Sequence, residues 1–252
     1  ACEARALRPR RYLPYEIAEI AGGGHVIATL AESFGRLHGA HSGYTATDRE
    51  LPIPKDKFAV SDEALLEFHR LLSDPEVRVV LAIAMTGAGK STYIPMRIVK
   101  PPAGANSAHL YSSPGQIVIT QPRRRPTYAT PRYVAEELLG CSIGPRQYYG
   151  FQFQGNKNSD WETSLRYVTD GTVVNWFAQE KLHRVGLVVI DEAHERSVNI
   201  DLTMVLLARA MARSPHVKIL IASATIDPAA FQEYFARLLP SGQRTAIQRF
   251  GY

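Results

Sequence analysis

Three short clusters in this chain carry residue types that can do chemistry. The first is Ala84-Met85-Thr86-Gly87-Ala88-Gly89-Lys90-Ser91. Its template is a glycine, four residues, then Gly-Lys-Ser/Thr, with Ala84 in the place of the first glycine. Gly87 and Gly89 let the backbone curl until its amides converge on one phosphate. Lys90 brings a charge for the β- and γ-phosphates of a nucleoside triphosphate, and the Ser91 hydroxyl is a ligand for Mg²⁺. The expected nucleotide-facing set is Thr86, Gly87, Ala88, Gly89, Lys90, Ser91 and Thr92. A dinucleotide fingerprint also begins Gly-x-Gly, but Thr92 stands where its third glycine belongs.

The second cluster is Asp191-Glu192-Ala193-His194, directly after the apolar run 187–190. Asp191, at the end of that run, is placed to hold Mg²⁺, and Glu192 to polarise an attacking water. Glu192, Lys90 and His194 form the expected catalytic set. His194 and Glu195 do not make a zinc-protease motif, because Val198 occupies the second histidine's place. Acids after a strand commonly decorate a helix start. Paired with the phosphate loop, they complete a Mg-nucleotide site. The third cluster is the run Arg123-Arg124-Arg125. Such runs are commonly a solvated face.

These clusters need strand ends to hold them. Val77 to Ala84 is apolar apart from Arg78, the pattern of a strand buried on both faces. Ser61 caps a preceding helix, with Asp62 and Glu63 in its first turn, and Asp74-Pro75 ends it. Further strands are expected at 116–120, 165–169, 187–190 and 217–222. Helices are expected at 128–139, 172–180, 200–211 and 228–238. The alternation predicts an α/β fold with a doubly wound, mostly parallel sheet, whose ligands sit at the carboxyl ends of the strands. Residues 1–55, with Gly22-Gly23-Gly24 and Leu51-Pro52-Ile53-Pro54, read as a divergent region or linker. Residues 101–115 read as a surface insertion.

Composition agrees with a globular domain that meets a polyanion. Apolar residues make up 45% and charged residues 21%, enough for a core and against wholesale disorder. The net charge of +5 favours nucleic acid. Two cysteines are too few for a disulfide framework and fit a reducing compartment. No apolar run is long enough for a membrane span. The chain opens on Ala1 without a signal-peptide pattern and reads as a piece of a longer protein.

The segment 191–197, Asp-Glu-Ala-His-Glu-Arg-Ser, closely resembles the signature of DEAH-box helicases, within helicase superfamily 2. Other segments fit in order. Thr120-Gln121-Pro122-Arg123-Arg124 resembles motif Ia, Tyr167-Val168-Thr169-Asp170-Gly171 resembles motif Ib, and Ser223-Ala224-Thr225 resembles motif III. The likeness runs from about Phe58 to Phe235. Met85 and Gln152 depart from the pattern; at Gln152 the family commonly has arginine.

The resemblance implies a RecA-like P-loop NTPase domain over 56–240, with 241–252 starting the connection to a second RecA-like domain. It implies ATP, or another NTP, and Mg²⁺ as cofactors. The implied partner is RNA, held mainly by its single-stranded backbone through Arg123, Arg124, Thr169, Asp170 and Gly171. It places Arg132 near the nucleotide base, and makes Ser223, Ala224 and Thr225 the link between hydrolysis and domain movement. Two functions compete: an RNA helicase driven by ATP hydrolysis, and a nucleotide-gated RNA-binding or assembly module without productive unwinding. Intact Lys90, Ser91, Asp191 and Glu192 favour the first.

Overall fold

The computed structural model describes residues 60–85, 87–99, 101–105, 116–179, 185–213 and 217–250. The linker at 1–55, Thr86 and most of the insertion at 101–115 lie outside them.

The described chain runs α1 (Asp62–Ser73), β1 (Val77–Ala84), α2 (Tyr93–Val99), β2 (Gln116–Gln121) and α3 (Arg124–Arg132), then a π-helical turn (Tyr133–Leu138). It continues with β3 (Tyr149–Phe153), β4 (Asn156–Asn158), β5 (Leu165–Thr169), α4 (Asp170–Ala178) and β6 (Val185–Ile190). A 3₁₀ turn (Ala193–Glu195), α5 (Val198–Arg213), β7 (Lys218–Ser223), α6 (Pro228–Ala236) and β8 (Arg244–Phe250) complete it. The strands form one sheet in the order β4-β3-β5-β2-β6-β7-β1-β8. All neighbours are parallel except β4, which turns back antiparallel on β3.

Every residue of β1, β2 and β6 is buried. Helices cover both faces of the sheet. Leu65 and Phe68 of α1, Ile94 and Met96 of α2, and Val134 of the π-helical turn pack against one face. Val173 and Trp176 of α4, Ile200 and Leu207 of α5, and Phe235 of α6 pack against the other. This is the doubly wound, RecA-like arrangement. Each such aliphatic side chain taken from water contributes roughly 1.5–3 kcal/mol.

The ends of the strands opposite the phosphate loop are tied by buried cations. Arg78 is 2% exposed and donates to the carbonyls of Val217 and Met211 and to Oε1 of Gln243. Lys218 Nζ donates to the carbonyls of Leu72 and Asp74, and Asp74 pairs with Arg244 at 2.6 Å. Burial lowers both the Arg78 and Lys218 pKa values, the latter to about 8.

Several expected boundaries shift. Ser61 does cap α1, accepting from the Ala64 amide at 3.2 Å. The helix at 128–139 instead starts at Arg124, and after Arg132 it widens into the π-helical turn. Pro131 has no N–H to continue the regular ladder. Beyond it the bonds span five and six residues, Leu139 to Val134 and Cys141 to Ala135. The helix expected from Thr172 begins at Asp170, and the segment expected to end with the domain at 240 is followed by one more strand. β8 lies parallel to β1, with Ala246, Gln248 and Phe250 buried and the Phe250 ring edge-on to Phe68. The sheet therefore extends through Phe250. β8 is hydrogen-bonded into the sheet and sets an aromatic ring in the core.

Candidate nucleotide and nucleic-acid site

The phosphate loop leaves β1 at Ala84 and reaches α2 at Tyr93. Gly87 and Gly89 have φ of 85° and 82°, the left-handed backbone that a side chain resists. Lys90 is 6% exposed, and its Nζ donates to the carbonyls of Ala84 and Met85 at 3.1 and 3.0 Å. The lysine thus spans its own loop and holds the curl closed. Ala88 is buried, Gly87 is exposed, and Gly89, Ser91 and Thr92 are half-buried.

The helix that follows the loop begins at Tyr93. Pro95 cannot donate to the Ser91 carbonyl, as its place in the helix would require. The hydroxyl of Tyr167, from β5, donates to that carbonyl at 2.7 Å. Tyr167 is completely buried, and burial raises its pKa well above the usual phenol value. A buried tyrosine therefore fixes the residue whose hydroxyl is the candidate metal ligand.

That hydroxyl is hydrogen-bonded to the carboxylate of Asp191, at the carboxyl end of β6. Asp191 is 0% exposed. Its Oδ2 accepts from Gln121 Nε2 at 2.6 Å, and its Oδ1 from the Glu192 amide at 2.9 Å. Burial first, with the Glu192 charge adding and the hydrogen bonds from Ser91, Gln121 and the Glu192 amide opposing, raises its pKa from 3.8 to about 6. Burial disfavours the bare anion of this carboxylate, and a cation held beside it offsets that cost.

Glu192 follows with φ 52° and ψ 38°, a left-handed conformation rare outside glycine. This turn keeps its side chain half-buried beside Asp191 and near His194, whose Nδ1 lies 3.4 Å from Oε2. The same Nδ1 lies 3.3 Å from Ser223 Oγ, at the carboxyl end of β7. Ser223 is buried and also accepts from the Thr225 amide at 3.4 Å. Ala224 is half-buried and Thr225 exposed in the turn after β7. The acidic segment and the Ser-Ala-Thr segment thus meet through His194.

The arginines after β2 sit on the same strand-end surface. Arg123 pairs with Glu195 at 3.2 Å while its side chain stays 74% exposed. Arg124 donates to Gln154 Oε1 at 3.2 Å. Thr169 precedes α4, with its hydroxyl 2.9 Å from that of Thr172. Asp170 is 4% exposed, its Oδ1 without a hydrogen-bond partner among the described residues. Gly171 is half-buried in the first turn of α4. Arg124, Thr169, Asp170 and Gly171 all line one cavity of about 750 Å³.

Arg132 differs. It is exposed and pairs with Glu136, one turn further along, at 3.5 Å. Sequence reasoning passed over Gln121 and Tyr167 as site residues. The polar Gln121 closing an apolar strand at its carboxyl end was the available signal. For Tyr167, inside an apolar strand, there was none.

A RecA-type nucleotide-binding domain, with its phosphate loop facing a buried strand-end carboxylate, is what this fold and site define. Residues 67–233 match the DEAD/DEAH box helicase family, and the chain belongs to it. It is 33% identical over 168 residues to the probable ATP-dependent RNA helicase DHX35 homolog of Caenorhabditis elegans, covering 66% of this chain and 22% of that protein. Among solved structures it is similar to the Escherichia coli DEAH/RHA helicase HrpB, with 29% identity and a TM-score of 0.59. That match covers 73% of this chain and 22% of the HrpB chain. A second structure, described as the E. coli DExH-box NTPase HrpB, gives 28% identity and the same TM-score over 75% of this chain and 21% of the other. The chain therefore spans about a fifth of the length of these relatives. No helix among the described residues is long and apolar enough to cross a membrane.

Proposed function

We propose that this chain is the nucleotide-binding and hydrolysing part of an ATP-dependent RNA helicase of the DEAH type. The observation that carries the reading is the Asp191 carboxylate, buried between Gln121 and Ser91 with Glu192 beside it. No group of three or more His, Cys, Asp or Glu able to cage a metal occurs among the described residues. One carboxylate and one hydroxyl are the protein share that Mg²⁺ takes when nucleotide phosphates complete its shell. Ser91 and Asp191 would hold it, and when bound it neutralises charge on the β- and γ-phosphates.

This chain's own residues do the rest. Lys90 exchanges its two neutral carbonyl acceptors for anionic phosphate oxygens, a gain of charge on the acceptor side. The amides of Gly87 to Ser91 line the phosphates. Glu192 orients water and takes its proton. His194 holds Glu192 and Ser223 in register, so a change at the nucleotide reaches the turn holding Thr225. Arg123, Arg124 and the start of α4 take the RNA backbone, and a second RecA-like domain works against this one. The reaction is phosphoryl transfer to water, with positioning and electrostatics as its main sources of rate.

The test is Glu192→Gln in the full-length protein. Mg-ATP binding stays and RNA-stimulated hydrolysis falls by at least about 100-fold, the usual contribution of a positioned base. Near-normal turnover would remove Glu192 from the role and return the reading to a nucleotide-gated binding module.

A further inference from the structure

We propose that Tyr167 is a positioning residue for the metal-binding serine, and that its grip on Ser91 makes the nucleotide site select Mg²⁺ over Ca²⁺. The inference rests on the nucleotide reading above and assigns the origin of its metal preference.

Each candidate ligand has a buried side chain behind it. Asp191 is held by Gln121, the last residue of β2. Ser91 is held by Tyr167 of β5, whose hydroxyl donates to the Ser91 carbonyl at 2.7 Å. β2 and β5 are adjacent and parallel, with Tyr167 opposite Ile119 and Thr169 opposite Gln121. Residues two apart on a strand share a face, so Gln121 points to the same side as Ile119, which packs with Tyr167 in one core. The sheet thus supplies both holders from neighbouring strands. Tyr167 is a rigid anchor: it is fully buried, and β5 is paired on both sides, to β2 and to β3.

The serine needs this bond because its own helix cannot supply one. The Gly89 carbonyl accepts from the amides of Thr92 and Ile94, and the Thr92 carbonyl from the amide of Met96. The Ser91 carbonyl falls to residue 95, a proline with no N–H to give. Tyr167 grips the backbone of Ser91 and leaves its hydroxyl available to a metal. With phenylalanine at 167 the carbonyl loses that donor, and Ser91 is free to turn at the head of α2. Mg²⁺ demands near-ideal octahedral geometry, whereas Ca²⁺ accepts a variable and flexible shell. A loosened serine therefore costs Mg²⁺ affinity and leaves Ca²⁺ nearly unaffected. Partners one bond behind a ligand set metal affinity by about 10- to 100-fold.

The experiment titrates the 252-residue chain with a non-hydrolysable ATP analogue by calorimetry, in Mg²⁺, in Ca²⁺ and in EDTA. Tyr167→Phe weakens binding in Mg²⁺ by roughly 10-fold or more. Binding in Ca²⁺ and in EDTA stays close to the parent's, which also shows that the variant is folded. Adding Pro95→Ala restores an N–H at residue 95 and returns binding in Mg²⁺ to the parent's value. Parent-like binding in Mg²⁺ by Tyr167→Phe, or a loss of the same size in all three conditions, would overturn the assignment and leave the nucleotide reading standing. So would a double variant that binds in Mg²⁺ no better than Tyr167→Phe. Failure of the parent chain to bind the analogue in Mg²⁺ would remove the nucleotide reading and this inference with it.

Discussion

Replacing Asp170 by asparagine raises the stability of the nucleotide-free chain at neutral pH and weakens its dependence on pH. Asp170 is 4% exposed, and its Oδ1 is without a partner among the described residues. Burial first, then the carboxylates of Glu195 and Asp191, raises its pKa from 3.8 to about 6, against the Thr120 hydroxyl that favours the anion. A carboxyl with a higher pKa in the folded state than in the unfolded one holds a proton that the unfolded chain has lost. Stability is then highest below about pH 4, falls as pH rises to about 6, and is level above that. A shift of about two units corresponds to roughly 3 kcal/mol at pH 7. Asparagine keeps the shape and removes the charge, but its NH₂ needs an acceptor, which costs about 1–2 kcal/mol of that gain. The net expectation is a variant more stable by about 1–2 kcal/mol at pH 7, and no more stable than the parent near pH 4.5. Asp191 titrates in the same window in both proteins, so the slope is roughly halved and not abolished. Urea unfolding with EDTA, from about pH 4.5 to 7.5, reads this directly. Parallel pH profiles for the two proteins, or a larger destabilisation at pH 7 than at 4.5, would refute the burial argument.

Two further outcomes follow from the site. Lys90→Ala removes the buried charge that now bridges the Ala84 and Met85 carbonyls, and Mg-ATP binding falls below detection in titration calorimetry; equal affinity of variant and parent would remove Lys90 from the nucleotide site. Arg123→Ala with Arg124→Ala weakens single-stranded RNA binding and lowers the slope of log affinity against log salt by roughly 1 to 2, about 0.7 for each phosphate that is no longer neutralised. An unchanged slope would move the RNA backbone to another surface.

How much of this was legible in the residues depended on whether local pattern or distant contact set each feature. The buried parallel strands showed as unbroken apolar runs, because burial on both faces admits little else. The phosphate loop and the acid pair showed because glycine and carboxylate types are locally demanded by their chemistry. β8 did not show. Gln248 interrupts its buried positions, and its partner β1 lies far away in sequence. The hairpin of β3 and β4 was also missed, since Asn156–Asn158 has neither apolar alternation nor β-branched residues. Arg132 was placed near the nucleotide by resemblance alone, and the structure gives it an ordinary helical neighbour, Glu136. Tyr167 is a fourth kind of case. Its hydroxyl replaces the hydrogen bond that Pro95 forfeits, a compensation between residues on different elements that no local window contains.

The placement of the acidic segment joins the proposed nucleotide site to the proposed RNA surface. Three strand ends meet around residues 191–195. Gln121 closes β2 and holds Asp191; Ser223 closes β7 and meets His194; Arg123, two residues past Gln121, pairs with Glu195. Gln121, which holds the Asp191 carboxylate, is therefore bonded through Pro122 to Arg123 and Arg124, the arginines proposed to take the RNA backbone. On the proposed function, a shift of Asp191 on nucleotide binding is expected to move Gln121, and the pairing of β2 with β5 and β6 along its length directs that movement to its free end. That free end is Pro122 to Arg124. Proline at its base limits the backbone to few conformations, which keeps the displacement from being absorbed as local disorder. The exposed ion pair of Arg123 with Glu195 contributes little to stability, on the order of 1 kcal/mol or less. A bond that weak is suited to exchange: on the proposed function Arg123 leaves Glu195 for an RNA phosphate at small cost, and Glu195 sits three residues from Glu192, the proposed base.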